Sequence, residues 1–244
     1  MYSIIQADNE SLDFLGNKKF DLIYIDPPFN TGRTQKGIGS YSDKFDSFAD
    51  FLKPRLQNAA IRLKKHGSLF VHVDPHESHY VKVWLDEIFG RDGFINEIIW
   101  AYDYGGRSKR KWSAKHDCIF WYVKDPSNYT FNYDAMERIP YMAPGLVGKE
   151  KAARGKTPTD VWWHTIVPTN GKERNGYPTQ KPLGILKRIV EVHSNEGDEC
   201  LDFFAGSGSF GEACLLQNRN VTLVDQSPVA IVTMKHRLKG YRGN

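Results

Sequence analysis

The stretch DLIYIDPPFN at residues 21–30 joins a run of aliphatic residues to an acid, two prolines and an aromatic ring. Proline has no backbone N–H for a β-ladder and fixes φ, so we expect the strand to end at Asp26. Pro27 and Pro28 would then hold Asp26 and Phe29 stiffly at the strand's carboxyl end, where open α/β sheets bind ligands. A carboxylate there can accept hydrogen bonds, and an aromatic ring can stack on a planar group. A rigid structural turn is the alternative.

A second motif, CLDFFAGSGSFGEACLL at residues 200–216, has the pattern of a strand, a glycine-rich turn and a helix start. Gly206 and Gly208 would let backbone N–H groups approach a ligand, and a helix N-terminus favours negative charge. Gly211 completes G-x-G-x-x-G, and Asp225 ends the next predicted strand, where a carboxylate can bind two ribose hydroxyls. The pattern predicts NAD or another adenosine-containing cofactor, with a structural tight turn as the alternative.

The position of the glycine motif favours a cofactor other than a dinucleotide. A dinucleotide-binding domain needs further strands after its glycine motif, and here only one strand and one helix are predicted to follow. The sheet must therefore be completed by strands from the N-terminal part of the chain, which includes the strand that ends in DPPF.

Positive charge is concentrated at residues 105–116, GGRSKRKWSAKH, where cations surround Trp112. A second basic cluster follows at residues 147–158, and the whole chain carries a net charge of +4. Cations interleaved with aromatic rings suit a nucleic acid, although either cluster alone could be a solvated loop.

Composition excludes several classes of protein. The 244 residues are 40% hydrophobic and 25% charged, with no apolar run near the length of a membrane span. No signal peptide pattern opens the chain, and the three cysteines form no CxxC, so we expect reduced thiols in a cytoplasmic protein. His72, Asp74, His76 and His79 lie close in sequence, but no cysteine accompanies them and we predict no metal site.

Strands alternate with helices over most of the chain, which predicts an α/β fold with a mostly parallel sheet covered on both faces. The predicted strands are 4–7, 21–25, 68–73, 97–102, 117–123, 199–204 and 221–224. The predicted helices are 45–65, 77–89, 183–194, 210–217 and 228–238. The strands at 97–102 and 117–123 have no helix between them, so we expect an antiparallel pair at one edge of the sheet.

One interval breaks this alternation. Residues 125–176 are rich in Pro, Gly, Asn and Lys and are too long for a simple connection. We therefore predict one domain in two halves, a catalytic half at residues 1–124 and a cofactor-binding half at 177–244. Between them, residues 125–176 would be an insertion and the candidate region for recognising the substrate.

Three motifs in this order resemble the amino-methyltransferases of DNA: DPPF at 26–29, PTQKPLGIL at 178–186 and LDFFAGSGS at 201–209. The order is similar to their beta group, in which the catalytic motif precedes the cofactor motif. Further matches are ADN at 7–9, GSLFVHVD at 67–74, KHDCIFWYVK at 115–124 and VWWHTI at 161–166. The resemblance implies S-adenosylmethionine (AdoMet) as the methyl donor and a class I methyltransferase fold with a seven-stranded sheet and a circularly permuted motif order.

Carried over by position, the resemblance also implies cofactor contacts. Asp8 would lie near the adenine ring, Asp225 would hold the ribose hydroxyls, and Lys181 would open a helix against the methionine end. The full implied set is Asp8, Lys181, Phe203, Ala205, Gly206, Ser207, Gly208 and Asp225. The chain departs from the usual pattern at Phe203, where proline is common, and at Ser209, where threonine is common.

The resemblance gives DPPF a chemical role. An exocyclic aromatic amine is a poor nucleophile because its lone pair is conjugated with the ring. Asp26 and the carbonyl of Pro27 can accept its two hydrogens, with Pro28 fixing that carbonyl and Phe29 stacking on a base flipped out of the duplex. In the family an acid at the first position goes mostly with adenine N6, and serine with cytosine N4. We therefore predict a DNA adenine-N6 methyltransferase.

Three other functions stay open at this point. Methylation of cytosine N4 by the same fold is the nearest. An NAD-dependent oxidoreductase is supported only by the glycine motif and Asp225, and a non-enzymatic DNA-binding module only by the basic clusters.

The predicted partner is DNA. The candidate contacts are Arg33, Arg107, Lys109, Arg110 and Lys111. The glycine-containing loop at residues 30–45 would close over the flipped base or the DNA backbone. A separate restriction endonuclease and a second copy of the chain are further candidate partners.

Overall fold

The computed structural model describes residues 1–36, 41–168 and 170–243. The strands described there are β1 (Tyr2–Gln6), β2 (Phe20–Ile25), β3 (Arg33–Gln35), β4 (Tyr41–Asp43), β5 (Leu63–Val73), β6 (Phe94–Ala101), β7 (His116–Val123), β8 (Val161–Trp163), β9 (Glu199–Asp202) and β10 (Asn220–Asp225). The helices are α1 (Phe48–Arg62), α2 (Ser78–Phe89), α3 (Lys149–Arg154), α4 (Leu183–His193), α5 (Ser209–Leu216) and α6 (Pro228–Arg237).

Eight of these strands form one sheet, in the order β1-β10-β9-β2-β5-β7-β6-β8. The pairs from β1 to β5 are all parallel, whereas β7 runs antiparallel to both β5 and β6. Strand β1 from the start of the chain pairs with β10 from its end. This pairing completes the sheet around the glycine motif, and the class I fold with permuted motif order is confirmed.

Helices cover both faces of the sheet because the strands are buried on both sides. Residues of β2 alternate between two cores: Leu22 and Tyr24 pack with α4, α5 and α6, whereas Phe20, Ile23 and Ile25 pack with α1 and α2. Such double burial explains why β2 reads as a continuous apolar run. The strand that carries Asp26 is thus held rigidly from both faces.

Some helices begin or end at residues other than those predicted, because strand pairing or N-capping determines the boundary. The predicted helix at 45–65 begins only at Phe48, after Ser47 accepts a hydrogen bond from Asp50 N at 3.2 Å. It ends at Arg62, because Leu63 pairs with Phe20 and begins β5. The N-cap at the start of α6 follows the same chemistry, since the Ser227 hydroxyl accepts from Ala230 N at 3.4 Å.

Residues 125–176, the predicted insertion, contain an eighth strand of the sheet that the predicted seven did not include. Strand β8 pairs in parallel with β6, and Trp100 Nε1 donates to His164 O at 2.7 Å just beyond it. Val161 and the two tryptophans are good strand formers, but their run of three is too short to stand out in sequence. The predicted antiparallel pair, β6 and β7, therefore lies one strand in from the edge.

All three cysteines are buried with free thiols. None of the helices in the described ranges is long and apolar enough to cross a membrane.

Candidate active site

A cavity of about 400 Å³ lies at the carboxyl edge of the sheet, where β2, β9 and β10 end. The predicted site residues that line it are Asp26, Pro28, Lys181, Ala205, Gly206, Ser207 and Asp225. These residues come from separate parts of the chain, and the parallel pairing of β2 with β9 and of β9 with β10 brings them to one edge. The catalytic and cofactor motifs therefore share a single cavity.

Asp26 follows β2 directly and forms an ion pair with Lys181, whose Nζ donates to Asp26 Oδ2. Lys181 is only 8% exposed, so the pair is shielded from water. The other carboxylate oxygen, Asp26 Oδ1, is buried and has no hydrogen-bond partner within the described ranges. A buried acceptor without a partner is costly, so this oxygen marks the position where a ligand would donate a hydrogen.

Phe29 and Pro27 are not part of the cavity lining. The ring of Phe29 lies 6.0 Å from that of His72, between centroids, and Lys181 Nζ lies 5.0 Å from the centroid of Phe29. Lys181 therefore contacts both ends of the DPPF segment, a role that its motif did not indicate.

A short hairpin, β3 paired with β4, covers one side of the cavity through Tyr41. Its anchor is Asp43, 1% exposed, which accepts hydrogen bonds from Asn30 N at 2.7 Å and from the Thr31 hydroxyl at 2.7 Å. The hairpin is thus tied to the residues directly after DPPF. The tip of the loop predicted to close over DNA, residues 37–40, lies outside the described residues.

The glycine motif forms another part of the cavity wall. Gly206 has φ of +46° and Gly208 has φ of +75°, in the left-handed region that favours glycine. A Cβ at Gly206 would lie 3.2 Å from the ring of Tyr177, and one at Gly208 would lie 2.9 Å from Met234 Cγ. Gly208 itself packs against α6 and does not line the cavity. The glycines therefore permit both the turn and close packing around it.

Asp225 ends β10 and faces the glycine turn, where its Oδ2 accepts from Gly206 N at 2.9 Å and its Oδ1 accepts from Ser227 N at 2.8 Å. Burial raises the pKa of the Asp225 carboxyl above its usual value, against the effect of these two hydrogen bonds. Each oxygen keeps a second lone pair for a ligand hydroxyl. Tyr41 also lines the cavity, and burial raises its pKa to about 12.

Asp202 is a cavity residue that the motif analysis missed. It is 3% exposed, and its Oδ1 accepts from Phe204 N at 2.9 Å. Burial, with smaller effects from the charges of Asp26 and Asp225, raises the pKa of Asp202 well above its usual value. The sequence did contain a signal for this residue, since an acid between two apolar residues of a buried strand is unusual.

The structure places two of the implied cofactor residues away from the cavity. The Asp8 side chain is 61% exposed and lies 3.4 Å from Arg55, whereas its neighbour Asn9 lines the cavity and donates to Phe203 O at 2.5 Å. The Phe203 ring is fully buried in the core shared with α1 and α2, and Phe204 lines the cavity instead. In both cases the adjacent residue lines the cavity instead.

The predicted DNA contacts lie on two exposed segments. Arg33 belongs to β3, and the others lie in the connection between β6 and β7, residues 102–115, which we call the basic loop. Arg107 pairs with Asp103 inside this loop. The side chains of Lys109, Arg110 and Lys111 are exposed, with no hydrogen bond or ion pair to other described residues.

The histidines after β5 do not form a metal cluster, and no group of three or more His, Cys, Asp or Glu side chains in the described ranges is placed to hold a metal ion. Fully buried His72 instead bridges two strands: its Nδ1 lies 2.8 Å from the Tyr24 hydroxyl and its Nε2 lies 3.0 Å from Asp117 Oδ2. Burial alone would raise the pKa of Asp117, but the hydrogen bond and charge of His72 outweigh it and the pKa is lowered.

Residues 20–235 match the DNA methylase family. The chain belongs to this family. Type II methyltransferase M.HpaI from Haemophilus parainfluenzae is 32% identical to it over 94% of this chain and 71% of that protein. DNA adenine methyltransferase YhdJ from Escherichia coli is 31% identical over 82% of this chain and 69% of that protein. The family predicted from the three motifs is confirmed.

Two solved structures share the fold of this chain. The M1.HpyAVI–SAM complex superposes with a TM-score of 0.69 and 22% identity, covering 98% of this chain and 99% of that one. The PvuII DNA methyltransferase, described as cytosine-N4-specific, superposes with a TM-score of 0.73 and 14% identity, covering 100% of this chain and 87% of that one. The fold alone therefore does not distinguish the two amines.

Proposed function

We propose that this DNA methylase transfers a methyl group from AdoMet to the N6 amine of an adenine flipped out of duplex DNA. The observation that carries the proposal is the position of Asp26, whose Oδ1 is buried, has no hydrogen-bond partner among the described residues and lies at the cavity that also contains the glycine turn and Asp225. A single cavity thus has a hydrogen-bond acceptor at one wall and a nucleoside-binding turn at the other.

The residues of the second wall fit AdoMet. A side chain at Gly206 would be in tight contact with Tyr177, Asp225 keeps lone pairs for ribose hydroxyls, and α5 begins at Ser209 with its positive dipole end toward the turn. A helix N-terminus at this position favours the carboxylate of the methionine portion. When bound, AdoMet supplies an electrophilic sulfonium methyl group.

The residues of the first wall hold the acceptor amine. Asp26 Oδ1 and the Pro27 carbonyl accept its two hydrogens, which orients the nitrogen lone pair toward the cofactor side of the cavity. Lys181 neutralises the second oxygen of Asp26 and keeps the carboxylate in one orientation. Phe29 provides a face for the flipped base, beside the 400 Å³ cavity.

Adenine is favoured over cytosine by the acid at the first position of DPPF and by the similarity to an enzyme named as a DNA adenine methyltransferase. Cytosine N4 is the alternative, and the same assay separates the two. An NAD-dependent oxidoreductase would leave the unpaired oxygen of Asp26 without a role.

The insertion at residues 125–176 and the basic loop are the surfaces we assign to DNA. M.HpaI is named a type II methyltransferase, and on that basis a separate endonuclease that cuts the same site is a candidate partner. We assign the protein to the cytoplasm, where its DNA substrate would lie in a bacterium.

The test is methyl transfer to unmethylated genomic DNA, digested to nucleosides and quantified by mass spectrometry. The wild-type protein should produce N6-methyladenine, and Asp26→Ala should abolish it while retaining AdoMet binding by isothermal titration calorimetry. If the product were N4-methylcytosine, the protein would be a cytosine-N4 methyltransferase and adenine would be ruled out as the target base. Failure of the wild-type protein to bind AdoMet would refute the proposal.

A further inference from the structure

One tryptophan makes no aromatic or core contact with the described residues. Trp112 is 99% exposed, the highest value among the large apolar side chains of the described residues, and it lies in the basic loop. An indole of this size is rarely left fully in water, because its burial is strongly favourable. Its exposure indicates a surface that is covered by another molecule.

The charges around Trp112 identify the class of that molecule. Lys109, Arg110 and Lys111 precede it directly, and their side chains make no ion pair with other described residues. The acid within the loop, Asp103, is occupied by Arg107. A fully exposed ring beside three free cations is complementary to a polyanion that also has aromatic faces, which is the chemistry of DNA.

The loop presents the ring on a closed turn. The Ser108 hydroxyl accepts hydrogen bonds from Arg110 N at 3.1 Å and Lys111 N at 3.3 Å, while Ser113 accepts from Ser108 N at 2.7 Å. At the base of the loop, Lys115 Nζ donates to Gly106 O at 3.0 Å. These contacts fix the turn on which Trp112 is carried.

Strand register places this loop at the catalytic edge. Ile25, the residue before Asp26, pairs with Val71 of β5, and Val73 of β5 pairs with Cys118 of β7. The loop enters β7 only two residues earlier, at His116. It therefore leaves the sheet at the same edge as the DPPF segment, two strands away.

A buried hydrogen-bonded chain ties the base of the loop to the catalytic strand. The Tyr102 hydroxyl donates to Asp117 Oδ1 at 2.9 Å, His72 bridges Asp117 and Tyr24, and Tyr24 lies on β2 two residues before Asp26. Phe29 packs against the same His72. This chain, Tyr102–Asp117–His72–Tyr24, fixes the orientation of the loop relative to the cavity.

We propose that Trp112 is an aromatic wedge that inserts into the DNA base stack beside the target base and stabilises the duplex from which that base has been flipped. The inference rests on the proposed function and extends it to a residue outside the cavity. Flipping requires the target base to be unstacked, and an indole in the stack offsets part of that cost. The adjacent cations hold the phosphates on either side.

The test compares two duplexes that carry the site mapped by sequencing DNA methylated by the wild-type protein. One duplex is fully paired, and the other has a mismatch opposite the target base, which is then already partly unstacked. On the paired duplex, Trp112→Ala should lower kcat/KM on the order of 10- to 100-fold, as expected for the loss of one aromatic–base stack. On the mismatched duplex the loss should shrink to within about threefold of the wild type, because little unstacking remains to be offset.

Two further measurements separate a wedge from a general contact. Trp112→Phe should restore most of the activity on the paired duplex, because it keeps an aromatic face. With 2-aminopurine at the target position, Trp112→Ala should reduce the fluorescence increase on binding, which reports unstacking without any methyl transfer. AdoMet binding and thermal stability should stay at wild-type values, since the ring is fully exposed.

Equal losses on the paired and mismatched duplexes would overturn the wedge and leave a general DNA contact. Wild-type kinetics for Trp112→Ala on both duplexes would also overturn it and assign the ring to a protein contact. Absence of methyl transfer by the wild-type protein to any DNA would refute the proposed function itself, a result obtained before any Trp112 variant is measured.

Discussion

The catalytic edge and the basic loop lie at the same end of the sheet and are built in opposite ways. At the catalytic edge, Lys181 is buried, Asp26 is half-buried, and the two form an ion pair. In the basic loop, Lys109, Arg110 and Lys111 extend into solvent with no ion pair among the described residues. One region has its charges fixed in place, and the other has its charges available.

This difference follows from what each region must do. Aligning an amine with a methyl donor depends on geometry within a fraction of an ångström, and buried, hydrogen-bonded groups provide that alignment. Phosphate attraction acts over the Debye length of about 8 Å at physiological salt, so mobile side chains serve it well. We therefore expect substitutions at the catalytic edge to change the rate of methyl transfer, and substitutions of the loop cations to change DNA affinity.

The largest effect is expected from Asp26→Asn. The amide oxygen can still accept from Lys181, so the fold is kept, but the charge and one acceptor for the amine are lost. We expect single-turnover methyl transfer to fall about 100- to 1,000-fold, as for removal of one preorganised electrostatic group. AdoMet and DNA affinities should stay within about threefold of the wild type, since each depends on groups elsewhere. A rate within tenfold of the wild type would show that Asp26 does not hold the amine.

A smaller effect is expected from Gly206→Ala in the glycine turn. The left-handed φ of +46° and the 3.2 Å approach of Tyr177 should cost about 1–3 kcal/mol of stability, and AdoMet affinity should fall, measured by calorimetry. Gly16→Ala is the matched control, since it has φ of +57° but open space around it. It should lose stability and keep AdoMet affinity. Gly106→Ala, in open space within the basic loop, should change neither.

A third region contains a buried polar side chain to which we assign no part in methyl transfer. His193 is 4% exposed among Trp121, Phe131 and Phe70, and its Nδ1 has no partner among the described residues. Burial lowers the pKa of His193 from 6.5 to about 3. Between these values the unfolded chain binds more protons, so stability is fully present above about pH 6.5 and is lost as the pH falls toward 3.

His193→Phe tests this assignment. The variant should gain about 2 kcal/mol over the wild type on going from pH 7 to pH 5, because it removes the proton that only the unfolded chain takes up. Denaturant unfolding at the two pH values measures the difference. A parallel change in both proteins would show that His193 is not buried in its neutral form. Methyl transfer at pH 7 should be unaffected, in contrast to the variants of the catalytic edge.

Both motifs at the catalytic edge could be located from the sequence because proline and glycine leave local signals. The prolines after Asp26 end β2, and the glycines at 206 and 208 form the turn after β9, so parallel pairing alone brings both motifs to one cavity. The ion pair of Asp26 with Lys181 joins residues 155 positions apart and has no local signal. Only the packing of the segment before α4 against the cavity creates it.

Two of the implied cofactor residues differ from the cavity lining by one position in the chain. Asn9 and Phe204 line the cavity where Asp8 and Phe203 were implied, and each is a shift by one residue. A motif gives the position of a segment, whereas the direction of each side chain depends on where the segment leaves its strand. Strand β8 was missed for a related reason, since three residues become a strand only by pairing with β6.

A small effect on rate and a larger one on DNA affinity are expected from the double substitution Arg110→Ala and Lys111→Ala. If each cation contacts one phosphate, the slope of log affinity against log salt concentration should become shallower by about 2, with weaker binding to all DNA sequences alike. Fluorescence anisotropy with labelled duplexes over a range of salt measures this slope. Methyl transfer at saturating DNA should stay within a few-fold of the wild type.

The matched control removes two cations from the opposite end of the sheet, Lys19→Ala with Lys65→Ala, near the amino ends of β2 and β5. Both double variants carry the same net charge. A difference between their salt-dependence slopes therefore reports the position of the removed cations and not the change in total charge. An equal change in both slopes would mean that the basic loop attracts DNA only through the overall field of the protein. A change confined to the loop variant would place phosphates beside Trp112, where a wedge must act.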